Sequence, residues 1–117
     1  MILPASGVRV YVAPGGTDMR KASGTLSMLV QGEWALDPFS GHLFAFCNRR
    51  RNLVKVLYWD RNGFCLWQKR LERERFRWPA DQAEVLELDM RRLRWLLEGL
   101  ELEKIRGHRE LAYTTVL

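Results

Sequence analysis

Three apolar runs in the middle of the chain constrain its fold most strongly. Leu43–Cys47 is followed by residues 53–59 and 64–69, and each run is rich in β-branched, aromatic or other apolar side chains. The connections are short, and the second contains Asn62-Gly63, a pair typical of tight β-hairpins. Three such runs predict an antiparallel β-meander.

The middle run is apolar on both faces. Its alternation puts Val54, Val56 and Tyr58 on one face, and Leu53, Leu57 and Trp59 on the other. A sheet that is apolar on both faces needs a cover on each side. We expect helices on one side. For the other side the alternatives are the loop after the first strand, a partner chain or another protein.

The flanking segments predict two further strands and two helices that can cover the sheet. Residues 8–12 predict a first strand, and residues 84–88 an edge strand. Thr17 is the predicted cap of a first helix, which has Asp18 in its first turn and ends near Gly32. Asp89 is the predicted cap of a second helix. The expected apolar positions are Met19, Ala22, Leu26, Leu29 and Val30 in the first helix, and Met90, Leu93, Leu96, Leu97 and Leu100 in the second.

These elements predict a small α+β fold in which an antiparallel meander packs against two helices. With 117 residues the chain fits one domain, residues 1–117, in which we expect residues 103–117 to form a partly mobile tail. No run of about 18 apolar residues and no secretory signal is visible, which favours a cytoplasmic protein without membrane contact. Cys47 and Cys65 are too few for a disulfide framework or a four-cysteine zinc site. We expect two buried thiols and no cofactor.

Positive charge is concentrated in residues 49–78. This segment holds ten Lys or Arg and three Asp or Glu, a net charge of +7, whereas the whole chain carries +5. The remainder is therefore net negative. A positive field confined to one segment favours a polyanionic partner, and DNA is the first candidate. The basic residues are Arg49, Arg50, Arg51, Lys55, Arg61, Lys69, Arg70, Arg73, Arg75 and Arg77.

Two parts of this segment are the predicted nucleic-acid contacts. Three arginines at a hairpin tip can reach phosphates without burying charge, and the charged stretch that ends at Pro79 interleaves arginines with aromatic rings on which bases could stack. The alternative for the tip is a solvated turn that protects sheet edges. The predicted contacts are Arg49, Arg50, Arg51, Lys69, Arg70, Arg73, Arg75 and Arg77, with Phe76 and Trp78 as exposed stacking residues.

The chain is predicted to be non-enzymatic. Residues 15–18 (Gly-Gly-Thr-Asp) could cradle a phosphate, but Asp18 would repel it, which favours a helix cap. Neither histidine, His42 or His108, is paired with a visible nucleophile. A metal nuclease would need converging carboxylates. Its candidates are Asp18, Asp37, Asp60 and Glu72, each of which has an ordinary structural explanation.

Several stretches resemble one family. They are residues 17–21 (Thr-Asp-Met-Arg-Lys), 37–44 (Asp-Pro-Phe-Ser-Gly-His-Leu-Phe), 58–60 with 69–72 and 76–79, and 96–100. Together they resemble the small TnpB accessory protein, the second reading frame of the insertion sequence 66 family of bacterial transposable elements. The chain departs from that pattern at Ala22-Ser23, where the family usually has Gly-Phe, and at Cys47. The resemblance implies support of transposition alongside a separate transposase, and it supplies neither a mechanism nor catalytic residues.

Three functions follow as hypotheses. The first is a DNA-binding accessory factor that helps the transposase assemble on the element. The second is an adaptor that contacts the transposase without touching DNA, motivated by the two-sided apolar sheet. The third is a metal-dependent nuclease. The sequence leaves open whether the nucleic acid is duplex, single-stranded or RNA, and it leaves the oligomeric state open.

Overall fold

A computed structural model describes residues 7–20, 22–80 and 84–100 of the chain. Its elements, in chain order, are β1 (Val10–Val12), α1 (Ser23–Gly32), β2 (Leu43–Cys47), β3 (Leu53–Asp60), β4 (Gly63–Arg70), β5 (Leu86–Leu88) and α2 (Met90–Leu97). None of the helices in the described ranges has the length and hydropathy needed to cross a membrane.

The strands form one mixed sheet in the order β4-β3-β2-β1-β5. The predicted meander is confirmed for β2, β3 and β4, which pair antiparallel. The prediction of a purely antiparallel sheet was wrong, because β1 lies parallel to β2, with Val10 opposite Leu43. Parallel neighbours need a crossover connection, and the segment between β1 and β2 contains α1. The α+β class itself is confirmed.

The chain covers both faces of the sheet with its own elements. On one face α2 and residues 76–78 pack over β3, and on the other face α1 packs over β2 and β3. The expectation of helices on one side only was therefore wrong, since α1 covers the second face, for which the loop after β1, a partner chain or another protein was expected. The buried residues of the first layer include Val54, Val56, Phe76, Trp78, Leu93 and Leu96, and those of the second are Ala13, Leu26, Val30, Phe44, Phe46 and Leu57.

The two helices begin differently. The predicted cap of α2 is confirmed, since the Asp89 carboxylate accepts a hydrogen bond from the Arg92 N–H at 2.8 Å. The predicted cap of α1 was wrong, because α1 starts at Ser23 and Ala22 precedes it without a side-chain cap. The Thr17 N–H, in the segment after β1, instead donates to the carbonyl of Cys47, the last residue of β2, at 2.7 Å. The predicted end of α1 at Gly32 is confirmed.

Two predicted details need correction. Leu100 is 48% exposed, because the helical stripe ends at Leu97 and Gly99 then adopts a positive φ of 94°. Cys65 is half-buried rather than buried. Cys47 is buried as expected, and desolvation raises the pKa of its thiol to about 12. The predicted tail, residues 103–117, lies outside the described residues.

Candidate nucleic-acid interface

The turn between β2 and β3, residues 48–52, is held by side-chain hydrogen bonds and is called the arginine turn below. The Asn48 Oδ1 accepts the N–H groups of Asn52 at 3.0 Å and of Leu53 at 3.1 Å, and the Asn48 amide donates to the Asn52 Oδ1 at 2.7 Å. The three arginines between these asparagines are exposed. Their backbone is therefore fixed while their guanidinium groups face solvent.

The end of β4 and the stretch after it lie beside the arginine turn. Arg70, the last residue of β4, is opposite Leu53, the first residue of β3. The Leu71 N–H donates to the Asn52 carbonyl at 2.8 Å, and the Phe76 N–H donates to the Arg51 carbonyl at 2.6 Å. The arginine turn, residues 69–70 and residues 71–78 together are called the basic end. Its exposed arginines are Arg49, Arg50, Arg51, Arg70, Arg73, Arg75 and Arg77.

Two basic residues of the charged segment lie elsewhere. The Lys55 ammonium donates to the Met19 carbonyl at 2.8 Å, on the α1 side of the sheet. Arg61 is in the β3–β4 turn with a positive φ of 55°, and Gly63 is paired with Asp60 as the first residue of β4. At about 3.3 Å per strand residue, this turn lies roughly 23 Å from the other end of the hairpin.

Lys69 is at the basic end but has a structural partner. Its ammonium donates to the Leu97 carbonyl at 2.9 Å. Leu97 is the last residue of α2, so the lysine places positive charge where the helix has unpaired carbonyls and the negative end of its dipole. Lys69 therefore has a structural role at the end of α2, and its contact with phosphate stays a prediction.

The predicted exposure of Phe76 and Trp78 was wrong. Phe76 is 1% exposed and Trp78 is 4% exposed, and the indole N–H of Trp78 donates to the Ala13 carbonyl at 2.8 Å. Their burial alternates with the exposed Arg75 and Arg77, which is the period-two pattern of an extended chain. That alternation is visible in the sequence, but the high local charge favoured an irregular exposed stretch instead.

Gly16 packs closely against Arg49 of the arginine turn, a contact that the sequence did not reveal. A Cβ at Gly16 would lie 2.5 Å from the Cγ and 3.0 Å from the Cα of Arg49. The neighbouring N–H groups of Gly15 and Thr17 donate to the carbonyls of Pro79 and Cys47 at 3.0 and 2.7 Å. They are thus used within the fold, so the suggested backbone cradle for phosphate does not form at these two groups.

We expect Gly16→Ala and Gly24→Ala to have opposite effects on stability. The new methyl group at position 16 must displace Arg49, which should lower the free energy of unfolding by about 1–3 kcal/mol. At Gly24, inside α1, a Cβ meets nothing within 4 Å, and Ala should raise the free energy of unfolding by up to about 1 kcal/mol. Urea denaturation of both variants measures this. Equal effects would contradict the close packing of Gly16 on the arginine turn.

Most of the candidate catalytic residues hold local structure. The His42 Nδ1 accepts the Arg9 N–H at 3.0 Å, the Asp37 Oδ1 accepts the Phe39 N–H at 2.9 Å, and Asp18 pairs with Arg20 at 2.9 Å. Asp60 closes the β3–β4 hairpin and Glu72 is exposed at the basic end, while His108 lies outside the described residues. Among the residues that the structure describes, no group of three or more His, Cys, Asp or Glu could hold a metal ion.

A cleft of about 680 Å³ lies beside β1 and α1. Among the described residues, its walls include the aromatic rings of Tyr11 and Trp34 and four acidic residues, Asp18, Glu33, Glu84 and Glu87. Carboxylates repel phosphates, so this cleft is unsuited to a polyanion. The contrast leaves the basic end as the candidate nucleic-acid surface.

The sequence model of the family described as IS66 Orf2 like protein matches residues 8–107. The chain belongs to this family. Among its relatives is uncharacterized protein y4hO of Sinorhizobium fredii (strain NBRC 101917 / NGR234), which is 39% identical over 101 residues, or 86% of this chain and 88% of that protein. Uncharacterized protein y4jC of the same strain is 30% identical over 106 residues, or 91% of each chain. No solved structure matches the chain.

A second exposed feature of this IS66 Orf2-like chain lies at the other end of the β3–β4 hairpin. Phe39 is 53% exposed and packs against the rings of Trp59 and Phe64, with ring centroids 5.0 and 5.3 Å away. Trp59 and Phe64 are half-buried and contact each other at 5.1 Å. These three residues are called the aromatic patch below. Aromatic residues are enriched at protein interfaces.

Proposed function

We propose that this IS66 Orf2-like protein binds DNA without catalysis and supports the transposase of the same element. The observation that carries the proposal is the convergence of exposed arginines at the basic end. Backbone hydrogen bonds from Leu71 and Phe76 hold the stretch after β4 against the arginine turn. Segments separated in sequence thus form one positive surface.

The chemistry of this surface suits phosphate groups. Arginine stays charged and presents a planar fork of donors that matches phosphate geometry. Each phosphate that it neutralises releases condensed counterions, which favours binding at low salt. Glu72 and Glu74 are exposed in the same stretch. They oppose binding, so the affinity depends on the arginines outnumbering them.

Titration of a labelled DNA with the purified full chain tests the proposal. We expect binding at low salt that weakens linearly as the logarithm of the salt concentration rises. Fluorescence anisotropy measures both quantities. If no DNA is bound even at low ionic strength, the basic end has another role and the proposal fails.

An adaptor that contacts the transposase is the second candidate function. Its original motivation, an uncovered sheet face, is removed by the packing of α1 and α2. The aromatic patch replaces it, because Phe39 exposes an apolar ring beside two partly buried ones. Such a cluster can act as an anchor for a protein partner.

We expect Phe39→Gln to reduce co-purification with the element's transposase, because the substitution removes the exposed ring of the aromatic patch. Met28→Gln is the matched control, since Met28 is 71% exposed on α1 and lies outside the patch. Co-purification should be measured with and without DNA. If the transposase is retained in neither condition by the unsubstituted protein, the adaptor function is ruled out.

A further inference from the structure

We infer that the basic end selects duplex DNA over single-stranded DNA. This inference rests on the proposed function and specifies its ligand. Its grounds are the burial of the aromatic rings in the charged stretch and the electrostatic nature of the surface that remains.

The basic end provides little opportunity for base stacking. Proteins that bind single strands present aromatic rings to the bases, and each stacked base contributes about 1–3 kcal/mol. Phe76 and Trp78 are buried, and the indole N–H of Trp78 also donates to the Ala13 carbonyl. Within the described residues, the aromatic side chain that is largely exposed is Phe39, at the far end of the β3–β4 hairpin. The basic end therefore offers unpaired bases no stacking platform comparable to those of single-strand binders.

Neutralisation of phosphate charge favours binding of a duplex. Without stacking, affinity depends on neutralising phosphate charge. A duplex carries two strands of phosphates and releases about 0.9 counterions per neutralised phosphate, whereas a single strand releases about 0.7. A surface of guanidinium groups consequently gains more from each contact with a duplex. For about six contacts the difference amounts to roughly a ten-fold tighter binding of the duplex at 0.1 M salt.

The rigid backbone of the arginine turn also favours a duplex. Hydrogen bonds that the Asn48 side chain accepts from Asn52 and Leu53 and donates to Asn52 fix the arginine turn, and Gly16 packs against the backbone of Arg49. The fixed backbone keeps the positions that carry the charges at constant spacings, which suits a regular duplex whose phosphates are already ordered, because the turn itself loses little conformational freedom on binding. A flexible single strand must be ordered on binding, and this lowers its affinity further.

Anisotropy titrations with a labelled duplex of about 20 base pairs, and with each of its strands alone, test the inference across a salt series. We expect about ten-fold tighter binding of the duplex at 0.1 M salt, with a steeper salt dependence than for either strand. Equal or tighter binding of a single strand would overturn the inference and leave DNA binding intact. Failure to bind any of the three would instead refute the proposed function, and the inference with it.

A pair of single substitutions locates the preference. Arg50→Ala removes one charge from the arginine turn and should weaken duplex binding. The slope of the logarithm of the binding constant against the logarithm of salt concentration should fall in magnitude by about one. Arg61→Asn removes one charge at the far end of the hairpin, and Asn tolerates the positive φ of 55° found there. We expect Arg61→Asn to leave duplex affinity nearly unchanged. Equal losses in the two variants would show that net charge, rather than the basic end, governs binding and would overturn the assignment.

Discussion

Phe76→Ala is expected to lower the free energy of unfolding by about 3–5 kcal/mol, the usual cost of truncating a buried Phe. The ring is 1% exposed and lies in the layer between the sheet and α2, with Val54, Val56 and Leu93 in the same cluster. Truncation leaves a cavity that the surrounding strands and helix cannot fill without moving. Urea denaturation followed by circular dichroism measures the change.

Two control substitutions distinguish a core residue from a DNA-stacking residue. Phe76→Leu keeps much of the buried volume and should recover most of the lost stability. Arg75→Ala, at the exposed neighbouring position, should change stability by no more than about 0.5 kcal/mol. If Phe76→Ala instead preserved stability while abolishing DNA binding, the ring would be exposed in solution and its assignment to the core would be wrong.

The meander could be predicted because its signals are local. The strands β2, β3 and β4 are apolar runs joined by turns that the sequence marks directly, and the cap of α2 at Asp89 needs only neighbouring residues. The parallel pairing of β1 could not be predicted in the same way. It joins Val10 to Leu43, which requires knowledge of how α1 packs across the sheet.

In the candidate site, too, local features could be predicted from the sequence, whereas contacts between distant residues could not. Its charged residues were visible in the composition of residues 49–78, and most of them do converge. Whether a given side chain is free depends on contacts between distant residues, as for Lys69 with Leu97 and Trp78 with Ala13. High local charge predicts exposure of Phe76 and Trp78, but the extended backbone turns these alternate positions inward. Local charge density identified the surface but not the orientation of its rings.

Replacing the three arginines of the arginine turn should weaken duplex binding by more than ten-fold at about 0.1 M salt and should lower the salt slope by about three units. The variant is best built as Arg49→Ala, Arg50→Ala and Arg51→Asn, because Arg51 has a positive φ of 61° that Asn adopts more readily than Ala. The Arg51 carbonyl, which accepts the Phe76 N–H, is retained. Anisotropy titrations over a salt series measure both quantities.

Removal of negative charge from the basic end provides the decisive comparison. Glu72→Gln combined with Glu74→Gln removes two exposed carboxylates from the basic end, and it should tighten duplex binding because phosphates are no longer repelled. Substitution of exposed residues should leave the unfolding free energy of both variants nearly unchanged. Opposite shifts in affinity at equal stability, together with an unchanged affinity for Arg61→Asn, would place the bound phosphates near the basic end rather than reflect net charge alone. If both variants bind as the unsubstituted protein does, DNA contacts another surface and the arginine turn is a solvated connection between β2 and β3.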